Sequence, residues 1–453
     1  MVKRHSHWRQ AGNGLLAAAQ QAFAGVTLVS GLGRVQRVLG ALVEGSVPNA
    51  SIGEQCELFH PSAPGRTRRA EVVGFNEHAA LLSLLDTLDG LGPSWLIRPL
   101  RRTHRVAAGP DLLGRVLDGY GLPLDGQQPP DGDAPGMAWR TVMAEAPAPT
   151  ERPRIREVFA TGVRSIDTLL TLGRGQRVGI FAPPGCGKTT LMAAIGRGSA
   201  IDVLVLALIG ERGREVREFT EHELDPELLA RTVIVCATSD RPALERVRAA
   251  FTATAIAEGM RARGMNVLLM VDSLTRLARA QREIGLAAGE APARAGYPPS
   301  VYAMLPRLLE RAGNTSQGAL TALYTVLLDG ELKADPISEE AVSLLDGHIL
   351  LSRKLAEQGH YPAVDVLPSL SRVMSNIVAP EQRKAAARLR HVLSSYREVE
   401  LLIRLGEYRS GADPELDKVV RAHPEVIAFL RQDTRQGATW DASIEQLLRL
   451  ASL

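Results

Sequence analysis

The segment from residue 177 to residue 190 constrains the fold of this chain more than any other. It consists of an apolar strand at 177–181, a Gly-rich loop that ends in Gly-Lys-Thr, and the start of a helix. Successive backbone N–H groups in such a loop form a concave cradle for phosphate oxygens, and the helix N-terminus adds to the attraction. We therefore expect nucleotide binding at the end of this strand.

The residues of this loop have individual predicted roles. Lys188 is expected to reach the β- and γ-phosphates, and the hydroxyl of Thr189 to bind Mg²⁺. Ala182 stands at the first position of the usual pattern, where Gly is common. An unrelated Gly-rich turn beside a Lys is disfavoured, because a strand precedes it, a helix follows it, and the whole chain has only six Lys residues. The other predicted nucleotide-binding residues are Gly185, Cys186, Gly187 and Thr190.

Two further apolar strands end in acidic residues suited to phosphoryl transfer. The strand at 203–209 is followed by Glu211, whose carboxylate can orient or polarise an attacking water. The strand at 267–271 is followed by Asp272, in the usual position of the acid that holds the Mg²⁺ shell. One acid after a strand is usually a helix cap. Parallel strands bind ligands at their carboxyl ends, so we expect Lys188, Glu211 and Asp272 to act together.

The composition indicates a globular protein of several domains. A chain of 453 residues is too long for one ordinary core, and 45 % hydrophobic with 23 % charged residues excludes a disordered chain. The net charge of +3 is too small to indicate nucleic acid as an obligatory partner. Cys56, Cys186 and Cys236 have no Cys-x-x-Cys spacing, which suits a reducing cytosol without disulfides or a zinc site. No apolar run approaches the ~18 residues that a membrane span needs.

The chain divides into four predicted parts. Residues 1–24 form an N-terminal segment, in which Gln20 and Gln21 interrupt the apolar stretch and exclude a signal peptide. Residues 25–98 contain short β-type segments between Gly, Pro and Asn turns, which predicts a small β-barrel. Residues 99–378 alternate strand and helix as a parallel α/β domain does, with a Gly-, Pro- and Asp-rich connector at 110–153. Residues 379–453 show apolar residues at helical spacing.

Several of these segments are specified further. The N-terminal segment can form a short amphipathic helix that docks on a partner or a membrane, or that packs on the chain's own core, which is more common. Its apolar side would consist of Leu15, Leu16, Ala19, Ala22 and Phe23. The β-type segments of the barrel lie at 26–29, 33–38, 69–73 and 79–85. The strands of the α/β domain lie at 177–181, 203–209, 233–237, 267–271 and 320–328.

Eight longer motifs carry a resemblance to a known family. They are GERGREV at 210–216, ATSDRP at 237–242, VDSLTRLAR at 271–279, AAGEAP at 287–292, GYPPS at 296–300, LPRLLER at 305–311, LDGHI at 345–349 and PAVDVLPSLS at 362–371. The chain resembles the catalytic ATPase of type III protein secretion, a relative of the β subunit of rotary ATP synthases. The resemblance is dense from about residue 110 to about 410, and weaker outside.

The resemblance implies roles for individual residues. Glu211 aligns with the catalytic carboxylate and Asp272 with the acid of the Mg²⁺ shell. Arg372 aligns with an arginine finger that acts on the nucleotide of a neighbouring subunit, a contribution that can reach ~10³–10⁵ in rate. Tyr361 aligns with the residue that stacks on the adenine. The supporting polar residues would be Arg212 and Arg276.

The resemblance also implies an architecture and partners. It predicts a RecA-like P-loop NTPase core, an N-terminal β-barrel that assembles a ring, and C-terminal helices that face cargo or chaperones. Because one chain carries both Glu211 and Arg372, the implied assembly is a homo-hexamer that uses ATP and Mg²⁺. Its implied partners are a central stalk protein, a negative regulator or stator protein, an export gate and chaperone–substrate complexes. Its implied place is the cytoplasm, peripheral to the inner-membrane secretion apparatus, with membrane contact possible and no nucleic acid.

Four functional hypotheses follow. The first is a motor that hydrolyses ATP to release chaperones and unfold export substrates, and the motifs at 185–189, 359–362 and 405–409 favour the virulence injectisome over the flagellum. A rotary ATP synthase subunit would need a second, paralogous chain. A Rho-type RNA translocase would need stacking aromatic residues on the barrel, where residues 25–98 contain only Phe59, Phe75 and Trp95. A nucleotide-switched scaffold would not need the carboxylate of Glu211.

Overall fold

The computed structural model describes residues 31–452, apart from 40–41, 86–87, 329, 331, 333–334, 412 and 434. The predicted N-terminal amphipathic helix and the β-type segment at 26–29 lie outside the described residues.

Six antiparallel strands close a barrel in the order β1-β2-β5-β4-β3-β6. Alternate side chains point inward, among them Val35, Leu58 and Ile97, each at most 1 % exposed. The last strand runs to Thr103, beyond the predicted end of the barrel at residue 98. In this extension the backbone N–H of Arg101 donates to the carboxylate of Glu54 at 3.0 Å. The strands are β1 Gly33–Leu39, β2 Leu42–Ser46, β3 Glu54–His60, β4 Ala63–Phe75, β5 Ala80–Leu84 and β6 Leu96–Thr103.

Residues beyond the barrel form an eight-stranded sheet in the order β18-β17-β12-β16-β15-β13-β14-β8. All neighbours in it are parallel except β17 and β18, which are antiparallel. Its strands are β8 Val116–Asp118, β12 Arg177–Ala182, β13 Val203–Ile209, β14 Thr232–Ala237, β15 Asn266–Asp272, β16 Ala319–Leu327, β17 Gly347–Leu351 and β18 Val364–Ser371. Short pairs are formed by β7 Arg105–Ala108 with β9 Ala138–Thr141, and by β10 Val158–Phe159 with β11 Leu172–Gly173. The five strands predicted for this domain are confirmed, because strands buried on both faces are continuous apolar runs.

Thirteen α-helices accompany the strands in the described part of the chain. They are α1 Arg164–Leu169, α2 Lys188–Gly198, α3 Gly213–Glu218, α4 Pro226–Ala230, α5 Ala243–Arg261, α6 Leu274–Ala287, α7 Pro299–Leu309, α8 Pro336–Leu344, α9 Arg353–Glu357, α10 Met374–Ile377, α11 Pro380–Arg404, α12 Pro414–Leu430 and α13 Trp440–Ala451. In these ranges no helix has both the length and the apolar character that crossing a membrane requires.

The segment 110–153 differs from the expected connector. Its strand β8 pairs in parallel with β14 and completes one edge of the sheet, and Leu112 and Leu117 are fully buried. Sequence pattern does not reveal a strand of three residues between Gly-rich turns, because it is too short to show a period. Part of the predicted connector therefore belongs to the core.

The C-terminal helices share a continuous hydrophobic core with the sheet domain. Helix α11 buries Leu389, Val392 and Val399, as the helical spacing predicted. Its last turn differs, because the side chain of Leu402, which the same spacing includes, is exposed. The predicted apolar face thus ends one turn before the helix does.

Candidate active site

The Gly-rich loop joins β12 to α2 at the carboxyl edge of the sheet. Gly185 and Gly187 both have a φ of 78°, a left-handed conformation that glycine adopts without strain. Helix α2 has no side-chain cap, so its first N–H groups can bind an anion. Ala182 is the buried last residue of β12, where a glycine is not needed. Cys186 is 2 % exposed and burial raises the pKa of its thiol, which indicates a packing role.

Lys188, Glu211 and Asp272 lie together at this edge, as expected from their positions at the ends of three apolar strands. The ammonium nitrogen of Lys188 is 2.5 Å from Oδ1 of Asp272 and 3.9 Å from Oε1 of Glu211. Strands β16 and β15 lie between β12 and β13 in the sheet, so the side chains meet across two strands. The three charges form one cluster directly beside the phosphate loop.

Asp272 is the last residue of β15 and is 4 % exposed. Besides Lys188, its Oδ1 accepts a hydrogen bond of 2.6 Å from the hydroxyl of Thr325 on β16. Sequence reasoning missed Thr325, because a single Thr inside an apolar strand is typical of packing. The bond from Thr325 orients the carboxylate toward the loop.

Glu211 follows β13 and is 8 % exposed. Nη2 of Arg276 lies 2.9 Å from its Oε2, and the same guanidinium donates to the backbone carbonyl of Gly210. Arg276 on α6, predicted only as a supporting residue, therefore holds the Glu211 carboxylate in place. It ties the end of β13 to the helix that follows Asp272.

The environment of Glu211 raises its pKa from 4.5 to about 7. Burial is the largest cause, followed by a hydrogen bond with Glu215 and the negative charge of Asp272, while Lys188 and Arg276 oppose the shift. The more exposed Glu215 has a lowered pKa because of the same hydrogen bond. A carboxylate whose pKa lies near neutral pH is suited to accept a proton from water.

Arg212, predicted as a supporting residue, does not face the phosphate loop of its own chain. Its side chain is 80 % exposed and pairs with Glu215 at 3.6 Å. The backbone at Arg212 is extended, with φ −73° and ψ 143°. Successive side chains of an extended backbone point in opposite directions, so the inward Glu211 leaves Arg212 facing outward.

Tyr361 lies against the phosphate loop although it comes from the far end of the domain sequence. A Cβ atom built on Gly187 would be 3.4 Å from Cε1 of Tyr361, and the ring is 40 % exposed. The carbonyl of Tyr361 accepts a hydrogen bond of 2.9 Å from the backbone N–H of Gln432. An aromatic face is thus available beside the phosphate cradle.

A small cavity adjoins this tyrosine, between α2 and the loop that joins α12 to α13. The amide of Gln432 donates to the carbonyl of Gly162 at 2.7 Å and accepts from the N–H of Arg164 at 2.8 Å. Sequence reasoning missed Gln432, because nothing in the polar loop after α12 distinguishes it. The cavity is lined by Gly162, Val163, Leu191, Ala194, Arg197, Gly198, Pro362, Gln432, Asp433, Arg435, Gln436 and Gly437.

Arg372 lies at the opposite edge of the sheet. Its backbone N–H donates to the carbonyl of Asp346 at 3.0 Å, and Asp346 pairs with Arg177, the first residue of β12. The phosphate loop follows Ala182, the last residue of that strand, and six residues of strand span roughly 20 Å. The exposed Arg372 therefore cannot reach the phosphate loop of its own chain.

The exposure of the barrel aromatics and the grouping of acidic, His and Cys side chains bear on RNA binding and on a metal centre. Trp95 is 2 % exposed and the ring of Phe59 is covered by the guanidinium of Arg98 at 4.6 Å, so neither forms an open stacking platform, whereas Phe75 is 49 % exposed. Of the residues that the structure describes, no three or more His, Cys, Asp or Glu side chains are grouped to hold a metal ion. Thr189 and Asp272 still provide oxygen donors, which suit Mg²⁺ because it usually keeps few protein ligands.

Comparison with known proteins identifies the relatives of this chain. The nucleotide-binding domain of the ATP synthase alpha/beta family matches residues 162–371, and the C-terminal domain of the type III secretion ATPase EscN matches residues 378–449. A type 3 secretion system ATPase of Pseudomonas savastanoi pv. phaseolicola is 54 % identical over 93 % of this chain and 94 % of its own length. A flagellum-specific ATP synthase of Bacillus subtilis is 48 % identical over 92 % of this chain and 94 % of its own.

A solved structure is similar over the same range. It is the assembled ATPase EscN in complex with its central stalk EscO, from the type III secretion system of enteropathogenic E. coli. The TM-score is 0.84 at 44 % identity, over 92 % of this chain and 100 % of that one.

Proposed function

The chain belongs to the ATPases of type III secretion systems, within the ATP synthase alpha/beta family, and from this premise we propose that it hydrolyses Mg-ATP between identical subunits to energise protein export. The observation that carries the proposal is the separation of two halves of one site. Lys188, Glu211 and Asp272 cluster at one edge of the sheet, and Arg372 is exposed near the other. Two neighbouring copies of the chain complete one site.

Each side chain has a defined task in this proposal. The loop N–H groups and Lys188 bind the β- and γ-phosphates, and Glu211 orients the attacking water and accepts its proton. Thr189 and Asp272 would hold Mg²⁺, which would supply positive charge that offsets the charge of the phosphates. Arg372 of the neighbouring subunit meets the negative charge that develops on the transferred phosphoryl group.

The proposed partners follow from the relatives. Because EscN was solved as an assembly with a central stalk, we infer a homo-hexameric ring of this chain around a stalk protein. The further partners are a negative regulator or stator protein, the export gate and chaperone–substrate complexes. The ring works in the cytoplasm against the inner-membrane secretion apparatus, where it releases chaperones and unfolds substrates.

The relatives favour the virulence injectisome over the flagellum. Identity is 54 % to the secretion ATPase of Pseudomonas savastanoi and 48 % to the flagellar protein of Bacillus subtilis. The match of the EscN C-terminal domain to residues 378–449 supports the same branch. A rotary ATP synthase subunit is disfavoured, because the two relatives compared above are a secretion and a flagellar protein and the EscN C-terminal domain matches residues 378–449.

ATP turnover per chain is expected to rise steeply with protein concentration, because each site needs an Arg372 from a second copy. The measurement is Mg-dependent phosphate release over a broad range of chain concentrations, with the oligomeric state followed by sedimentation in the same buffer. Activity and ring formation should rise together, and Lys188→Ala should form rings without turnover. A specific activity that stays constant while the chain remains monomeric would refute catalysis between subunits.

Tyr361→Ala is expected to raise the KM for ATP by about 10-fold or more with little change in kcat, because base stacking contributes ~1–3 kcal/mol. A change confined to KM indicates that the lost contact stabilised the bound substrate and the transition state equally. Steady-state kinetics check this, and Tyr361→Phe is the control, since it keeps the ring and should behave as the wild type. An unchanged KM in Tyr361→Ala would remove Tyr361 from the base site.

A further inference from the structure

Polar contacts are concentrated where the end of β18 meets the start of β12. The carbonyl of Asp346 accepts hydrogen bonds of 3.0 Å from the backbone N–H of Arg372 and 3.0 Å from the amide of Gln176. The backbone N–H of Asp346 donates to the carbonyl of Arg177 at 2.9 Å. The peptide groups of Asp346 therefore join Arg372 directly to the first residue of the strand that carries the phosphate loop.

The side chain of Asp346 fixes this junction. Its Oδ2 accepts from the backbone N–H and from Nε of Arg177 at 3.1 and 3.0 Å, and its Oδ1 accepts from Nη2 at 3.1 Å. Burial by itself lowers the pKa of Arg177, but Asp346 and Glu310 more than reverse this and raise it above its ordinary value. A two-point pair of this kind has one geometry, because the guanidinium and the carboxylate are both planar.

The residue before Arg372 is also held. The hydroxyl of Ser371 donates to the carbonyl of Thr171 at 2.8 Å and lies 3.2 Å from the amide nitrogen of Gln176. Beyond this point the side chain of Arg372 is exposed, with one hydrogen bond of 3.2 Å to the carbonyl of Val342. The backbone at Arg372 is thus fixed while its guanidinium stays accessible to another subunit.

We propose that Asp346, through its pair with Arg177, is a positioning residue that holds the arginine finger Arg372 on the strand that carries its own chain's phosphate loop. The inference rests on the proposed function, in which Arg372 acts on the nucleotide of a neighbouring subunit. Any movement of β12 in one subunit is then transmitted to the finger that it supplies to the next site. Asp346 lies at the start of β12, the end opposite its own phosphate loop, and acts through the position of Arg372.

Asp346→Asn is expected to lower kcat by on the order of 10²-fold with KM changed less than about threefold, because a displacement of ~1 Å in a catalytic group has an effect of this size. The matched control is Glu310→Gln, since Glu310 pairs with the same Arg177 at 2.6 Å and, among the described residues, Arg372 hydrogen-bonds to Val342 and Asp346 and not to Glu310. Glu310→Gln should retain near wild-type turnover. Equal losses in both variants would indicate that only the charge balance of Arg177 matters, and would overturn the proposal.

Mixed rings separate positioning from general damage to the fold. A Lys188→Ala chain has an inactive site of its own but supplies an intact finger, so mixing it with Asp346→Asn should restore turnover above that of either variant alone. Arg372→Ala mixed with Lys188→Ala is the reference. If the reference mixture recovers activity and the Asp346→Asn mixture does not, the positioning role is refuted and the shared site stands. If neither recovers, the shared site of the proposed function has failed, and the inference with it.

A second variant covers the case in which Asp346→Asn does not fold. Ser371→Ala removes the bond to Thr171 without removing a charge, and it should lower kcat in the same direction by a smaller factor. Its thermal unfolding temperature should remain close to that of the wild type. Mixing Ser371→Ala chains with Lys188→Ala chains should restore ATP turnover. A Ser371→Ala chain with unchanged kcat, beside an unfolded Asp346→Asn chain, would reject the proposal.

Discussion

Arg372→Ala is expected to reduce ATP turnover by ~10³–10⁵-fold, because an arginine finger meets charge that exists only in the transition state. Such a loss should appear in kcat, with KM nearly unchanged. The variant should still assemble, since in the described part of its own chain the Arg372 guanidinium makes a single hydrogen bond, to the carbonyl of Val342. Phosphate release and sedimentation of the same sample measure the two properties. An exposed arginine nearby, Arg383 on α11, provides the control, and Arg383→Ala should keep its activity.

Mixing Arg372→Ala chains with the wild type also tests the role of Arg372. Arg372→Ala chains added to wild-type rings should lower the activity of the mixture more than dilution does, because each variant subunit disables a neighbour's site. An Arg372→Ala chain that hydrolyses ATP at the wild-type rate would contradict the assignment. The exposed position of Arg372 near the amino edge of the sheet would then need another explanation, such as an ion pair in the assembly.

Glu211→Gln is expected to lower kcat by ~10²–10⁴-fold, the usual contribution of a general base, while ATP binding persists. In the wild type, kcat should rise with pH through about 7, because the carboxylate of Glu211 must be ionised to accept a proton. The Gln variant should show no such rise. Steady-state kinetics between pH 5.5 and 8.5 measure this, and Glu218→Gln, a change at an exposed ion-paired residue of α3, is the control.

The same substitution has an expected effect on stability. The folded pKa of Glu211 is raised above 4.5, so folding favours its protonated form and the wild type loses stability as pH rises from about 4.5 through about 7. Glu211→Gln removes that loss, so its thermal unfolding temperature should exceed the wild-type value at pH 8 and match it near pH 4.5. Equal unfolding temperatures at pH 8 would show that folding does not raise the pKa of Glu211. Its role as a base at neutral pH would then have to be abandoned.

Most of the sheet was predictable because its strands are buried on both faces and read as continuous apolar runs. The strands at 203–209 and 267–271 match β13 and β15 within a residue. Strand β8 was not predictable, because three residues between Gly-rich turns show no period. Strands β17 and β18 appeared in the sequence only within motifs of the resemblance. In β18, Asp365, Pro368 and Ser371 interrupt any simple apolar alternation.

The candidate site shows the same division. The loop residues, Glu211 and Asp272 could be named because each lies at the carboxyl end of an apolar run in the sequence. Thr325 and Gln432 could not, since one lies within an apolar strand and the other in a polar loop after α12. The direction of the Arg212 side chain could not be predicted from residue type, because it depends on the extended backbone, which turns that side chain away from Glu211.

By itself, the sequence determined a phosphate loop between a strand and a helix, an α/β domain after a β-rich one, and the acidic residues at the strand ends. These are local properties, set by side-chain periodicity and by turn residues along a short stretch of chain. Only the tertiary structure decided that β12, β15 and β13 bring Lys188, Asp272 and Glu211 into contact, and that the antiparallel β18 carries Arg372 to the opposite edge. Strand order and direction depend on how distant segments pack, and no local pattern encodes that choice.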